Sequence, residues 1–135
     1  MPLIEWKDEL SVDINTIDKQ HKGLIALINE LHEGMRVGKG QDMLGETLTK
    51  LVEYTKMHFA TEEKFFETYK YPGYVAHKSE HDKLTGQVLD FKSKFDNKQA
   101  VVTVELMSFL KDWLRKHIVG TDRKYSQFLI QKGVT

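Results

Sequence analysis

The chain has 135 residues, enough for one domain with a substantial hydrophobic core. Its 20 basic and 20 acidic residues cancel, so no overall electrostatic attraction favours nucleic acid or an anionic membrane as a partner. Because the chain has no cysteine, disulfides and cysteine-bound metal centres are excluded, and any metal must be held by histidine, aspartate and glutamate. With neither a long apolar run nor a leader-like start, the sequence predicts a soluble, cytoplasmic protein and identifies no protein partner.

The N-terminal part predicts an arm followed by a helix. Residues 1–14 carry apolar side chains without helical periodicity, and we interpret them as an ordered arm that lays Trp6 against the domain. From Ile17 onwards, apolar residues recur at spacings of three and four, as on the inward face of a bundle helix, and His21 falls in this series. Three glycines predict the end of this helix and the following turn: Gly34, Gly38 and Gly40.

Two further helices carry pairs of polar residues at positions that are ordinarily apolar. The second helix is predicted from the series Leu48, Leu51, Thr55, His58, Glu62, Phe65 and Tyr69, and the third from Tyr74, His77, His81, Leu84, Val88, Phe91 and Phe95. Residues four apart share a helical face, so His58 with Glu62 and His77 with His81 are two ready chelates. The intervening Tyr71-Pro72-Gly73 predicts a break that brings the two pairs together.

A fourth helix completes the predicted architecture. A polar loop, Asp96-Asn97-Lys98-Gln99, precedes the series Leu106, Leu110, Trp113 and His117. Four amphipathic helices with short connections predict an all-α fold, namely an antiparallel up-down-up-down four-helix bundle with an N-terminal arm. We expect a single domain over residues 1–135, with the arm over 1–14 and the bundle over about 15–132.

The fourth helix loses its regular spacing after His117. The next apolar residues, Tyr125 and Leu129, are displaced by about one residue from the upstream series, and Asp122 lies one turn before them. An extra residue within a helix is typical of a π-bulge or a local break, and such features are frequent at functional sites. We therefore predict a local irregularity that turns Asp122 towards the interior.

Seven ionisable side chains fall on the predicted inward faces: His21, His58, Glu62, His77, His81, His117 and Asp122. A single helical histidine is usually a surface group or a core group with a hydrogen-bond partner. His32 has no histidine or carboxylate four residues away, and we assign it no role. Burying seven unpaired ionisable groups would cost several kcal/mol each. A metal centre would offset this cost, because the buried groups would bind the metal. Five imidazoles with two carboxylates suit a pair of first-row ions, iron foremost.

The ligand count predicts an asymmetric pair of metals. If both carboxylates and a solvent-derived oxide or hydroxide bridge the ions, the five histidines must divide three and two. Histidines four residues apart normally bind one ion, so His77, His81 and His117 are assigned to a closed position. His21 and His58 then hold the other ion, which keeps one vacancy for a small ligand or an anion such as azide.

The spacing His21, His58-x3-Glu62, His77-x3-His81, His117-x4-Asp122 resembles the hemerythrin family, and Asp18-Lys19-Gln20-His21-Lys22 resembles its bacterial branch. The resemblance covers nearly the whole chain. It implies two iron ions (Fe2+/Fe3+) with a bridging oxo or hydroxo group, and reversible binding of dioxygen at the two-histidine iron. It also implies a ligand pocket formed by Leu24, Phe59, Trp113, Leu114 and Ile118.

The resemblance favours a protein without enzymatic activity that stores, delivers or scavenges dioxygen. An apolar wall beside the vacancy would exclude water and protons, which favours reversible binding over turnover. One alternative is a domain that senses oxygen or redox state. The other is a di-iron enzyme with oxidase, peroxidase or nitric-oxide-handling activity. The charged stretches Glu62-Glu63-Lys64, apart from the ligand, and Lys92-Ser93-Lys94 are interpreted as solvated surface.

Overall fold

The computed structural model describes residues 3–38, 41–97 and 104–135. The bundle consists of α1 (Asn15–Arg36), α2 (Gln41–Tyr69), α3 (Tyr74–Asp96) and α4 (Val104–Lys116), which continues through a π-helical turn (His117–Asp122) into α5 (Arg123–Gln131). Helix α1 packs against α2 and α4, and α2 packs against α3. The predicted all-α four-helix bundle is confirmed. No helix in the described ranges is long and apolar enough to cross a lipid bilayer.

Helix α1 runs further than its glycines predict. Gly34 is a buried residue inside the helix, which ends at Arg36, and Gly38 follows with a φ of +77°. A helical glycine costs only about 1 kcal/mol relative to alanine, and the continuing helix places Met35 against the core. Gly40 lies outside the described residues.

The break between α2 and α3 lies where the sequence predicts it, but a different residue ends α2. Lys70 has a φ of 54°, and the Tyr71 N–H donates to the Phe66 carbonyl at 2.9 Å, a closure typical of helix C-termini. Gly73 then caps the start of α3. At the other end of α3, the predicted polar loop starts in the helix itself, since Asp96 is its last residue, and Lys98 and Gln99 lie outside the described residues.

Apolar side chains form two large clusters, and the seven ionisable residues come between them along the helices. The first cluster includes Leu24, Ile28, Leu31, Leu48, Leu51, Met107, Leu110 and Leu114. The second includes Val12, Ile14, Ile17, Phe66, Tyr125 and Leu129. The inward aromatic residue of α2 is Phe66, which is fully buried, whereas the predicted Phe65 is only partly buried. A helical turn of 3.6 residues makes a step of three or four from Glu62 nearly equivalent, and packing selects four.

The segment before α1 lies along the bundle. Its Leu10, Val12 and Ile14 are buried, and Trp6 packs on the first cluster. Asp18, in the first turn of α1, holds this segment by accepting hydrogen bonds from Ser11 Oγ at 2.5 Å and from the Val12 N–H at 2.9 Å. The arm is therefore fixed to the same turn of helix that leads into His21.

Candidate metal centre

All seven predicted ligand residues are brought together in the polar layer of the bundle. Each is at most 6% exposed. They form two sets in which the potential ligand atoms all lie within 4.8 Å of one another: Glu62, His77, His81, His117 and Asp122 in one, and His21, His58, Glu62 and Asp122 in the other. One set holds three histidines and the other two, and both carboxylates are shared. His32 is only partly buried and belongs to neither set.

The two-histidine set joins α1 to α2 and to the π-helical turn. His21 Nε2 lies 2.9 Å from Asp122 Oδ2, and His58 Nε2 lies 3.2 Å from Glu62 Oε1. The two imidazole rings meet edge to face with their centroids 4.6 Å apart. A carboxylate therefore stands beside each of these histidines.

The three-histidine set joins α3 to the fourth helix of the bundle. His77 Nε2 and His117 Nε2 lie 3.1 and 3.0 Å from Asp122 Oδ1, and His81 Nε2 lies 3.2 Å from Glu62 Oε1. Asp122 thus presents one oxygen to each set. Glu62 presents Oε1 to a histidine of each set. Each carboxylate is therefore close enough to both sets to be shared by two metal positions.

The inner atoms of these residues are close but do not form aligned hydrogen bonds. Nine buried side-chain nitrogen and oxygen atoms have no hydrogen-bond partner among the described residues, and all belong to the seven ligand candidates. They include the Nε2 atom of every one of the five histidines. Buried polar groups are ordinarily hydrogen-bonded, so a convergent set of unpaired donor atoms fits a metal centre.

The π-helical turn gives the aspartate its position. The predicted irregularity is confirmed as a π-helical segment over His117–Asp122. Its wider turn brings two residues five apart onto one face, whereas an ideal α-helix would separate them by about 140°. His117 Nε2 consequently lies 3.0 Å from Asp122 Oδ1. The same irregularity lets Tyr125 and Leu129 continue the buried face.

Three residues that contact the site were not predicted from the sequence. Gln20 Oε1 lies 2.7 Å from His58 Nδ1, and Glu63 Oε2 lies 3.1 Å from His81 Nδ1. The interpretation of Glu63 as solvated surface is wrong, since its side chain is only 20% exposed. The buried Tyr125 hydroxyl donates a very short hydrogen bond to Glu62 Oε2. Adjacency to a ligand in sequence was the available signal for Gln20 and Glu63, whereas Tyr125 resembled an ordinary core residue.

The five predicted pocket residues divide between two places. Phe59 stacks on His81 with ring centroids 3.8 Å apart, and Trp113 stacks on His117 at 5.2 Å. The three aliphatic residues, Leu24, Leu114 and Ile118, are buried in the first apolar cluster. Two of them, Leu114 and Ile118, also line a cleft of about 310 Å³ between the arm and the fourth helix.

The electrostatics of the chain alone favour protonated imidazole beside ionised carboxylate. Burial would lower the pKa of His117, but the carboxylates of Asp122 and Glu62 together outweigh burial and raise the pKa to about 10. Burial and the charge of Glu62 would raise the pKa of Asp122, yet His117 holds it well below its usual range. Glu62 behaves likewise, because His58, His117 and His81 together more than offset the effect of burial and lower its pKa. A metal bound through the Nε2 atom of His117 would therefore compete with a proton for that atom.

A four-helix bundle whose central layer holds five histidines and two carboxylates belongs to a recognisable class of helical metal-site proteins. The model of the hemerythrin HHE cation-binding domain matches residues 12–129. The chain belongs to the hemerythrin family.

Two bacteriohemerythrins match over nearly their whole length. Bacteriohemerythrin of Methylococcus capsulatus is 35% identical over 130 residues, covering 96% of this chain and 98% of that protein. Bacteriohemerythrin of Clostridium acetobutylicum is 32% identical, with 89% and 96% covered. A crystal structure of wild-type hemerythrin superimposes with a TM-score of 0.89 at 34% identity, covering 93% of this chain and 96% of the other.

Proposed function

We propose that this protein binds dioxygen reversibly at a non-haem di-iron centre, for oxygen storage, delivery or scavenging, and that it is not an enzyme. The observation that carries the proposal is the convergence of eight buried, unpaired ligand atoms on one polar layer, namely the Nε2 atoms of the five histidines and three carboxylate oxygens of Glu62 and Asp122. Family membership supports iron as the metal and dioxygen as the ligand. When bound, a pair of irons would supply the two electrons that dioxygen takes up and returns on release.

We assign each residue a role from its position. His77, His81 and His117 would hold one iron, His21 and His58 would hold the other, and Glu62 and Asp122 would be shared. Fewer histidines at the second position leave room there for dioxygen or for a small anion such as azide. Tyr125, through its hydrogen bond to Glu62 Oε2, fixes the orientation of a shared carboxylate.

The surroundings of the centre favour binding over turnover. Leu24, Leu114 and Ile118 are at most 1% exposed and offer no acidic hydrogen, so they exclude water from this side of the polar layer without supplying protons. Phe59 and Trp113 cover the imidazoles of His81 and His117. Protons and water promote irreversible oxidation, and an apolar cover slows their entry.

The test is to express the full chain with ample iron, measure the metal content, reduce it without air and then admit oxygen. We expect close to two irons per chain and a visible spectrum that appears with oxygen and disappears when oxygen is removed. Azide added to the oxidised protein should give a charge-transfer band. Zinc retained in place of iron, or repeated oxygen consumption with turnover, would contradict the proposal.

Two histidine variants provide a matched comparison. His58→Ala removes a buried ligand candidate and should abolish the azide band and the second iron. His32→Ala alters a histidine that belongs to neither ligand set and should leave both intact. If the two variants behave alike, the assignment of histidines to the site is wrong.

A further inference from the structure

We propose that Glu63 and Gln20 are positioning residues that give the two metal positions unequal affinities. The three-histidine position would bind a divalent ion more tightly, with a carboxylate behind one of its imidazoles. The two-histidine position would bind more weakly, with only a neutral amide behind it. The inference rests on the proposed metal centre, but its test needs neither iron nor oxygen.

The outer nitrogen of His81 faces a charged group. Glu63 Oε2 lies 3.1 Å from His81 Nδ1, while His81 Nε2 points into the centre near Glu62. If Nε2 is bound to a metal, Nδ1 carries the proton, and this N–H donates a hydrogen bond to the Glu63 carboxylate. Lys78 Nζ lies 4.0 Å from Glu63 Oε1 and is paired more closely with Asp82 at 2.9 Å, so it leaves Oε2 free for His81.

The outer nitrogen of His58 faces a neutral group instead. Gln20 Oε1 lies 2.7 Å from His58 Nδ1, and the Gln20 amide is fixed by donating from Nε2 to Thr61 Oγ1 at 3.2 Å. Gln20 thus orients the imidazole of His58, as Glu63 orients that of His81. Unlike the Glu63 carboxylate, the Gln20 amide carries no negative charge that would attract the proton on His58 Nδ1.

His21 reinforces the difference between the positions. It is fully buried, and its Nδ1 has no hydrogen-bond partner among the described residues. Of the two imidazoles in the two-histidine set, one therefore faces an amide and the other faces no acceptor. Neither Nδ1 atom faces a carboxylate among the described residues.

The chemical consequence follows from hydrogen bonding behind a metal-bound imidazole. A carboxylate acceptor makes a stronger, charge-assisted hydrogen bond than an amide does. The stronger bond raises the basicity of the opposite nitrogen, and loss of such a partner typically costs 10- to 100-fold in metal affinity. Glu63 should accordingly strengthen the position that already has more histidines, and the two positions should fill in order.

The test is a titration of the metal-free full chain with Co2+ in the absence of oxygen, because Co2+ absorption in the visible reports the coordination of each ion. We expect two distinct binding steps, of which His58→Ala removes the weaker. Glu63→Gln should weaken the tighter step by about tenfold and leave the weaker step unchanged. Gln20→Glu should tighten the weaker step, so that both substitutions bring the steps closer together.

Controls separate this effect from general disruption. Glu53→Gln removes an exposed carboxylate from the same helix and should change neither step. Thermal unfolding of the metal-free variants should match that of the parent. Equal weakening of both steps by Glu63→Gln, or no weakening of the tighter step, would overturn the inference while the metal centre stands. Failure of the parent to bind two Co2+ ions would overturn the metal centre and this inference together.

Discussion

The two apolar clusters and the polar layer are built from the same helices but contribute to the protein in opposite ways. Buried aliphatic side chains such as Ile28 and Leu31 stabilise the folded chain by removing apolar surface from water. The ligand residues are equally buried, yet their inner atoms lack hydrogen bonds, which costs free energy until a ligand is bound. The clusters thus stabilise the folded bundle, and the unpaired polar atoms of the central layer offset part of this stabilisation.

This contrast teaches that the fold and the site can be perturbed separately. Because apolar residues adjoin the polar layer at both ends along the helices, we expect most of the packing of the bundle to form without metal. A change in the polar layer should alter metal binding more than folding. A change in a cluster should do the reverse.

The largest expected effect is that of Asp122→Asn on metal loading. Asp122 presents Oδ2 to His21 at 2.9 Å and Oδ1 to His117 at 3.0 Å, so one substitution removes negative charge from both positions. We expect loss of stable two-iron loading, measured by metal analysis, while the chain remains folded by circular dichroism. Asp112→Asn, on the exposed face of α4, is the matched control and should load normally. A variant at Asp122 that still holds two irons would remove the aspartate from the centre.

The opposite perturbation is Ile28→Ala in the first cluster. Ile28 is 1% exposed, and truncation of such a residue typically costs about 2–5 kcal/mol of stability. We expect a drop of this size in the free energy of unfolding by urea, with the metal content per folded chain unchanged. Val37→Ala, at a residue that is 57% exposed, should have little effect. Loss of metal from folded Ile28→Ala would show that the two regions are coupled.

The polar layer should also make the stability of the metal-free protein depend on pH. The pKa of His117 is raised to about 10 in the folded chain, above its usual value of 6.5. The stabilisation that protonated His117 contributes to the folded chain is therefore fully present below about pH 6.5 and is lost as the pH rises through about 10. We expect the free energy of unfolding, with chelator present, to fall over this range by up to about 1.4 kcal/mol per pH unit. His117→Gln should lack this slope, and an identical slope in both proteins would assign it to another group.

The smallest expected effect concerns the border between the two regions. Ile118 is fully buried, follows a ligand candidate and lines the cleft beside the arm. Ile118→Ala should admit water, so that the oxygenated protein oxidises several-fold faster, measured as decay of its visible spectrum in air. Val119→Ala, at a residue that is 37% exposed, is the neighbouring control. Equal decay rates would mean that water enters by another route.

Helical periodicity was sufficient to predict the bundle and to bring the candidate ligands together. Residues four apart share a face in any α-helix, so His58 with Glu62 and His77 with His81 were recognisable without knowledge of packing. The displaced spacing after His117 likewise predicted a local irregularity, because an extra residue changes the phase of every later apolar position, and the structure has a π-helical turn there. These features depend on distances within one helix.

The features that sequence did not predict depend on contacts between elements or on small differences in helix rotation. Gln20 meets His58 across α1 and α2, and Glu63 meets His81 across α2 and α3, so each contact requires the axial offset of two helices. The burial of Phe66 in place of Phe65 is a choice between adjacent positions that periodicity barely distinguishes. The end of α2 at a left-handed Lys70 has no glycine to indicate it.

The stacking of Trp113 on His117 gives the protein an intrinsic optical reporter. The chain has only two tryptophans, and the other, Trp6, belongs to the arm, where Lys22 Nζ lies 4.8 Å from the centre of its ring. Excited indole transfers energy or an electron to a nearby transition-metal ion with an efficiency that falls steeply with distance. Occupation of the three-histidine set should therefore quench the fluorescence of Trp113 through the imidazole it covers.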